Sequence, residues 1–506
     1  MIIDARTLPE NECIEADICI AGAGVAGVTL AHEFIGEECR VCLLEGGGLG
    51  PDRGTQSLFW GKNVGHPYFP LDTARACGFG GSSNRWTAPG FADRGLGVRL
   101  RPLDEIDFEE KEWIPDSGWP FRKSELEPFY VRAQKKCKIG PFAYNVENWE
   151  DPENTPHLPF LNERVRTTVF QFGPRDPFIN SYRQEIDQAP NIVVYTYANV
   201  VEVEATESVT AVPRMQIACL DGKKLQVSAK IFILAMGALE IPRLLLISNK
   251  RQSAGLGNQH DLVGRYFMEH PHLWSGAFIP SSPDILNSIG LYRVHRAHGF
   301  PIMGKLTLAP DVLRAEKTLN YCVSIHPTFP GGRHNIAPNL PIISWPLQTA
   351  KPQEHSNIQP QFKKKSAQGV ESLKTLLSSF SKGHVPENMG NLLGDVFRDI
   401  DKVGATGYRR LRSEFSKIAG KFNRPKGRLV FELNHMTEQS PNPNSRLFLS
   451  DEKDSLGRNR ICLDWRLNSL DIHSIIRAQQ IIDDELRRAK LGRLRIDLRD
   501  ETPPSS

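Results

Sequence analysis

The feature that most constrains the fold of this chain is a glycine-rich turn that follows a short apolar run near its start. Residues 18–21 read Ile-Cys-Ile-Ala, and three glycines then follow with the spacing G-x-G-x-x-G, namely Gly22, Gly24 and Gly27. Gly22 allows a sharp turn, Gly24 lets the backbone approach a pyrophosphate, and Gly27 lets a helix pack closely on the strand. This order predicts a strand, a tight turn and a helix that starts near Val25, whose N-terminal amide groups favour bound phosphate.

A second apolar run, residues 41–44, completes a β-α-β unit and is followed directly by Glu45. An acidic residue at this position is placed to accept hydrogen bonds from a ribose, and it disfavours NADP because it would repel the 2′-phosphate. A glycine-rich turn can also be a plain connection between a strand and a helix. The apolar strands, the helix length and the terminal carboxylate together favour nucleotide binding.

The composition is that of a globular protein with more than one domain. The chain has 506 residues, of which 40% are hydrophobic and 24% charged, and its net charge is +3. At this length two or more domains are expected, and the near-neutral charge gives no indication of nucleic-acid binding. No stretch is apolar enough to span a membrane. The N-terminus carries acidic residues and no signal-peptide pattern, so we expect a cytoplasmic location.

The cysteines give no indication of a metal site. Nine are scattered along the chain, and one pair, Cys39 and Cys42, has the spacing C-x-x-C. The pair falls in the second predicted strand, where positions three apart point to opposite faces. We therefore interpret both as buried strand residues.

Further patterns predict an α/β fold. Residues 191–205 alternate and carry β-branched side chains, which is typical of strands. Asp221 and Gly222 predict a hairpin turn. The continuous apolar run over residues 230–238 predicts a strand that is buried on both faces of a parallel sheet and is followed by a helix. Residues 470–490 have the spacing of an amphipathic helix.

Five separated segments carry a resemblance to a known family. In chain order they are the fingerprint at 22–27 and the segments 80–86, 233–246, 261–271 and 438–446. Together they resemble the glucose–methanol–choline family of FAD-dependent oxidoreductases, nearest to its bacterial and pyranose-oxidase-like members. The resemblance covers nearly the whole chain. It implies a doubly wound, Rossmann-like FAD-binding domain and a second α+β substrate domain.

The resemblance also implies a division of the chain into domains. The expected segments are a first part of the FAD-binding domain at 1–95, an insertion or lid over the flavin at 96–189, a second part of the FAD-binding domain at 190–272, a substrate domain at 273–439, and a truncated return to the FAD-binding domain at 440–506. Within the substrate domain, the basic and serine-rich residues 351–425 predict an amphipathic lid, with membrane binding as the less favoured alternative.

The cofactor implied by the resemblance is FAD. The residues expected to contact it are Gly22, Gly24, Gly27, Glu45, Gly80, Gly81, Ser82, Ser83, Asn84, Trp86, Val200, Ala235 and Gly237. Gly80 and Gly81 leave room for the isoalloxazine ring, whereas the backbone of Val200 would contact the adenine. Some relatives carry a histidine just before the tryptophan that corresponds to Trp86, and this histidine links covalently to the flavin. Here that residue is Arg85, which implies non-covalent FAD. The alternative for residues 80–84 is a surface loop.

The activity implied is hydride transfer from the CH–OH group of an alcohol or sugar to flavin N5, with a histidine as the base. In the family this histidine and a second histidine or asparagine lie in a C-terminal segment. No histidine follows His473, so the catalytic residues are unknown. His270 and His272 lie at the expected domain crossover, where we favour a structural role.

The missing segment leaves alternatives open. The chain could be an inactive or split-gene FAD-binding fragment, and we then expect weaker FAD binding and a partner chain that supplies the missing part. An NAD-dependent dehydrogenase is a third possibility. The sequence does not identify the substrate, the electron acceptor (oxygen, a quinone or a cytochrome) or the oligomeric state.

Overall fold

The part of the chain that the structure describes contains four sheets and eight α-helices. The computed structural model describes residues 1–86, 95–328, 375 and 430–498. The strands are β1 (Ile2–Asp4), β2 (Cys13–Glu15), β3 (Ile18–Ala21), β4 (Val41–Leu44), β5 (Gly61–Asn63), β6 (Leu96–Leu100), β7 (Val165–Pro174), β8 (Ile192–Thr196), β9 (Asn199–Glu204), β10 (Arg214–Ala218), β11 (Lys224–Ser228), β12 (Ile231–Leu234), β13 (His272–Pro280), β14 (His295–Ala297), β15 (Phe300–Leu308), β16 (Tyr321–Thr328), β17 (Val430–Thr437), β18 (Arg446–Lys453), β19 (Asn459–Asp464) and β20 (Gly492–Arg495). The helices are α1 (Val25–Glu33), α2 (Arg53–Gln56), α3 (Leu71–Ala74), α4 (Lys123–Lys136), α5 (Tyr182–Gln188), α6 (Gly237–Ile247), α7 (Pro310–Glu316) and α8 (Ser469–Arg488).

Five parallel strands form one sheet, in the order β1-β8-β4-β3-β12. Strands β3 and β4 are buried on both faces, as expected in the middle of a parallel sheet. Ile20 and Leu43 pack on the side of α1 and α5, whereas Cys19 and Leu44 pack against the four-stranded sheet β2-β11-β10-β9. The predicted α/β class and the predicted β-α-β unit are thereby confirmed.

Strand β12 lies at an edge of this sheet. Its continuous apolar sequence predicts burial on both faces, but Ile231 is 55% exposed and the next three residues are half-buried. Within the described residues β12 pairs with β3 alone, because no other described strand lies along its second edge. The predicted strand and the helix after it, α6, are confirmed, and the prediction of two fully buried faces is wrong.

The largest sheet is antiparallel and draws its strands from distant parts of the chain. Its order is β20-β13-β17-β16-β15-β7-β6, and β14 pairs with β15. Strands β6 and β7 come from the predicted insertion, and β20 comes from the predicted return to the FAD-binding domain. One face of the sheet packs against α8 through Ile481, Ile482 and Leu486. The amphipathic helix predicted over 470–490 is therefore confirmed, whereas the domain boundaries stay a prediction.

A small sheet, β18-β19-β5, packs beside α6 and α3. Its core contains Leu71, Leu239, Ile461 and Leu463. Residues 430–464 contain β17, β18 and β19. The amphipathic segments predicted within 351–425 lie outside the described residues.

Candidate functional site

Three glycine-bearing turns meet at the carboxyl edge of the parallel sheet. The first joins β3 to α1, and Gly22 there has a φ of +104°, in the left-handed region that favours glycine. A Cβ on Gly22 would lie 2.7 Å from the carbonyl oxygen of Ala235, which directly follows β12. The Gly22 amide donates to the carbonyl oxygen of Leu44 at 2.8 Å. The turn therefore contacts the ends of both strands that flank β3.

Gly24 and Gly27 have different surroundings. A Cβ on Gly27 would lie 1.9 Å from the carbonyl oxygen of Gly22, so α1 approaches the turn at a distance that only glycine permits. A Cβ on Gly24 would meet no atom closer than 4.0 Å, and the Gly24 φ of −76° is open to any residue. No side chain caps the N-terminus of α1. The open space beside uncapped amide groups suits an anionic group such as a phosphate.

The second turn leads into the 3₁₀ helix Gly81–Arg85. The Gly80 amide donates to the carbonyl oxygen of Ala23 at 2.7 Å. A Cβ on Gly81 would lie 2.8 Å from the Cα atom of Gly24, and both Gly80 and Gly81 have positive φ values, +88° and +53°. The structure thus brings the Gly80–Gly81 segment into backbone contact with the first turn.

The polar side chains of this loop bond mainly within it. The Ser83 hydroxyl is buried and donates to the carbonyl oxygen of Gly80 at 2.7 Å. The Asn84 side-chain amide donates to two loop carbonyl oxygens at 2.9 and 3.0 Å. Ser83 and Asn84 therefore stabilise the loop conformation. Among these three polar residues expected to contact FAD, half-buried Ser82 alone makes no such bond to the described residues.

Arg85 and Trp86 fix the end of the loop. Nε of Arg85 donates to the carbonyl oxygen of Arg75 at 2.9 Å. The Trp86 ring packs edge-on against Phe178, with 6.5 Å between ring centroids. The Trp86 carbonyl oxygen lies 2.9 Å from the position of a Cβ on Gly97, in β6. Strand β6 therefore links this loop to the large antiparallel sheet.

The third turn joins β12 to α6. The Ala235 amide donates to the carbonyl oxygen of Ala21 at 2.7 Å, which extends the pairing of β12 with β3. Gly237 starts α6 with a φ of +81°, and a Cβ on it would meet no atom within 4 Å. The two predicted residues of this turn therefore lie beside the first turn, and Gly237 borders open space.

Glu45 is buried behind the first turn, and backbone amides hold its carboxylate. Oε2 accepts a hydrogen bond from the Ala23 amide at 3.0 Å, and Oε1 accepts one from the Gly47 amide at 2.9 Å. Burial raises the pKa of Glu45 above its ordinary value, and these amide hydrogen bonds oppose part of the rise. The carboxylate thus joins the first turn to the end of β4, and its contact with a ribose stays a prediction.

Val200 and Asn199 lie at the start of β9, and the amide of Ala198 just before them donates to the carbonyl oxygen of Glu45 at 2.9 Å. The carbonyl oxygen of Val200 accepts a hydrogen bond from Arg458 at 3.3 Å, and its contact with adenine stays a prediction. Asn199 is 6% exposed, and its Nδ2 has no hydrogen-bond partner. Because an unpaired buried donor is unfavourable, a polar ligand atom here would stabilise the site. The sequence analysis missed Asn199, although a polar residue at the head of an apolar strand was an available signal.

A second group of polar side chains lies on the large antiparallel sheet, on the face opposite α8. Strand registers place Arg99, Lys305, His326 and Asn434 on this face, which we call the cationic face. None of the four was among the predicted site residues. Each lies in a different strand, and only the strand registers show that they share a face.

His270 lies just before β13 and His272 starts the strand, with 4.7 Å between their ring centroids. Burial lowers the pKa of His272 to about 3, and the nearby charges of His270, Arg99 and Lys305 act in the same direction. His272 is therefore neutral at physiological pH. The structural role favoured for these two residues stays a prediction.

The C-x-x-C pair does not form a metal site in the structure. Cys42 lies in β4 next to Cys19 of β3, where both are buried, and Cys39 precedes the strand. Within residues 1–86, 95–328 and 430–498 there is no group of His, Cys, Asp and Glu side chains with the geometry to hold a metal ion. The helices of these same ranges include none that combines the length and the apolarity needed to cross a membrane.

One curated protein is similar in sequence to this chain. No protein-family model matches the chain. The fructose dehydrogenase large subunit of Gluconobacter japonicus is 24% identical to it over 349 residues, which are 52% of this chain and 59% of that protein. This similarity supports the predicted resemblance to glucose–methanol–choline oxidoreductases. The chain spans less than two thirds of the length of this curated relative.

Solved structures show a distant likeness. Pyridoxine 4-oxidase of Mesorbium loti has a TM-score of 0.45 and 16% identity, with coverage of 97% of this chain and 84% of that one. A formate oxidase variant of Aspergillus oryzae RIB40 has a TM-score of 0.42 and 14% identity, with coverage of 98% and 85%. These scores are too low for the likeness to bear on the fold or the function.

Proposed function

We propose that this chain is a member of the glucose–methanol–choline family that binds FAD non-covalently and oxidises the CH–OH group of an alcohol or sugar. The observation that carries the proposal is the meeting of the three glycine turns, with open space at Gly24. In this site the diphosphate lies at the N-terminus of α1, the ribose near Glu45 and the adenine near Val200 and Asn199. The curated relative supports the reaction class, because its name is that of a dehydrogenase.

Each part of the proposed site has a defined task. Bound FAD supplies the hydride acceptor. The flat ring system would lie against the backbone of Gly80 and Gly81, near the small residue Ala235 and near Gly237, which borders open space. Glu45 disfavours a 2′-phosphate by charge repulsion, which argues against NADP. We assign no residue as the base that takes the hydroxyl proton.

A second candidate function is a cofactor-binding chain that is completed by a separate chain. The observation that favours it is the edge strand β12, which pairs on one side alone within the described residues and exposes Ile231. An unpaired strand edge is able to accept a further strand. The curated relative is a large subunit by name, so a partner subunit belongs to the proposal. Turnover of sugars or alcohols by this chain alone, with a dye as electron acceptor, would exclude this candidate.

The cytoplasmic location stays a prediction.

The visible absorption spectrum of the purified protein tests FAD binding. We expect flavin absorbance in the natural protein and its loss in Gly24→Val, because that side chain enters the open space proposed for the diphosphate. Gly50→Val is the matched control, since a Cβ on Gly50 also meets no atom within 4 Å and Gly50 lies on the exposed surface. When they are stripped of flavin, both variants should unfold at the same temperature as the natural apoprotein.

Two results would contradict the proposal. One is full flavin content in folded Gly24→Val. The other is a colourless natural protein that transfers hydride to NAD, which would support the NAD-dependent alternative. Anaerobic bleaching of the flavin by a panel of sugars and alcohols then identifies the substrate class.

A further inference from the structure

The cationic face holds a buried ammonium group without a strong acceptor. Lys305 is 2% exposed. Its Nζ lies 2.6 Å from the thioether sulfur of Met436 and 4.5 Å from the ring centroid of Phe170. A thioether is a weak hydrogen-bond acceptor, and an aromatic ring only partly replaces a carboxylate. A buried charge is unfavourable unless it is paired and hydrogen-bonded, so Lys305 lacks the partner that its burial calls for.

The charged residue nearest to Lys305 in effect is another cation, Arg99. Burial lowers the pKa of Lys305 to about 8, and the charge of Arg99 acts in the same direction, whereas Cys322 acts in the opposite direction. Arg99 is half-buried and forms no ion pair with a carboxylate of the described residues. Glu432 shares this face opposite His326, and its negative charge acts on Arg495. The charge balance of the face therefore favours an anionic ligand.

Two further groups on this face lack hydrogen-bond partners. Asn434 is 8% exposed, and its Oδ1 lies near His272 but accepts no hydrogen bond of normal geometry. Nε2 of His326 is buried and has no partner either. Asn434 lies on β17 next to Ser324 of β16, two positions from His326, so the two groups are close to each other on the face. An unpaired amide oxygen is satisfied by an N–H or O–H donor, such as a ligand hydroxyl.

We propose that the cationic face binds a hydroxylated carboxylate, such as a sugar acid, whose carboxylate is held by Lys305 and Arg99 and whose hydroxyl donates to Asn434. The face adjoins the proposed cofactor site, since β6 carries both Arg99 and the residue Gly97 that contacts Trp86. This inference names the substrate class of the proposed oxidoreductase and rests on that function for the reaction. Ligand binding itself does not need FAD.

Isothermal titration calorimetry of the full chain tests the proposal with D-gluconate, D-sorbitol and acetate. Gluconate and sorbitol share a hydroxylated six-carbon chain and differ in the carboxylate, and acetate has the carboxylate alone. We expect gluconate to bind more tightly than sorbitol or acetate, by a factor of about ten or more, because a hydrogen bond to a charged group is stronger than a neutral one. Lys305→Met should lower gluconate affinity about tenfold or more and leave sorbitol affinity unchanged. Lys224→Met, an exposed lysine on β11, is the matched control.

Lys305→Met should fold, since it keeps the side-chain volume and removes a buried charge. If Lys305→Met does not fold, a second variant, Asn434→Asp, tests the same site. Its new carboxylate pairs with the cations and repels gluconate, so gluconate affinity should fall. Equal binding of gluconate and sorbitol would overturn the inference. Unchanged gluconate affinity in either folded variant would do so as well. If the natural protein binds gluconate but shows no flavin absorbance, the inference is supported and the proposed function is overturned. The two failures are therefore distinguishable.

Discussion

The carboxylate of Glu45 has a structural task that does not depend on any cofactor. It accepts one backbone amide on each oxygen, from Ala23 and Gly47. We expect Glu45→Gln to lower the free energy of unfolding of the apoprotein by about 1–3 kcal/mol, because the new NH₂ group faces one of these amides and leaves it unpaired. Urea unfolding measures the change, and exposed Glu38→Gln is the control. An unchanged midpoint for Glu45→Gln would show that the amide contacts do not stabilise the turn.

Single residues also mark the limit of what the sequence could predict about the site. Gly22 and Glu45 were predictable because they form a local motif in which each position has one physical reason. Lys305 was not, since one charged residue within a mostly apolar strand has no periodic signal, and the polar head of β9 at Asn199 does not by itself mark a site. Their burial and missing partners depend on which strands lie beside them, and those strands are distant in sequence.

At the scale of elements, the packing of α1 on the first turn depends on Gly27. A Cβ at this position would lie 1.9 Å from the carbonyl oxygen of Gly22. We expect Gly27→Ala to lower the free energy of unfolding by about 1–3 kcal/mol, because α1 has to shift away from β3 to admit the methyl group. Urea unfolding measures the change against Gly50→Ala, where the new methyl group meets open space. Equal stability of the two variants would mean that α1 moves without penalty.

The elements show why part of the fold followed from sequence and part did not. The β-α-β unit from β3 to β4 is local, so apolar runs and a glycine turn were enough to predict it. The apolar run of β12 predicted a strand correctly but not its edge position, because a sequence does not state how many neighbours a strand has. The pairing of β7 with β15 and of β20 with β13 joins distant segments, and strand alternation alone does not fix such partners.

At the scale of the whole molecule, a buried charge network joins segments that are far apart in the chain. The Arg243 guanidinium of α6 is 1% exposed and donates to the Asp454 carboxylate at 2.8 Å. It also donates to the carbonyl oxygens of Leu58 and Asn459, at 3.0 and 2.8 Å. Glu240, one turn earlier in α6, pairs with Arg243 and with a second arginine, Arg75, at 2.7 Å. The network thus connects α6 with the β18–β19 hairpin and the segment that contains α2 and α3.

This network makes the stability of the protein depend on pH. Burial alone would raise the pKa of Glu240, but the charges of Arg75, Arg243 and Arg458 outweigh it and hold the pKa below its ordinary value of 4.5. As pH falls, Glu240 therefore gains a proton at a higher pH in the unfolded chain than in the folded protein. The contribution of Glu240 to stability is present above pH 4.5 and is lost as pH falls through the lower, folded-state pKa.

Glu240→Gln should therefore act in two ways. At neutral pH it should lower the free energy of unfolding by about 3–5 kcal/mol, because it leaves buried arginine charge unpaired. Below pH 4.5 its stability should fall less steeply with pH than that of the natural protein, because the group that gains the proton is gone. Urea unfolding at a series of pH values above and below 4.5 measures both effects, with the exposed Glu163→Gln as control. If Glu240→Gln and the natural protein lost stability in parallel on acidification, the proton linkage would have to lie elsewhere, even if the loss at neutral pH were as large as expected.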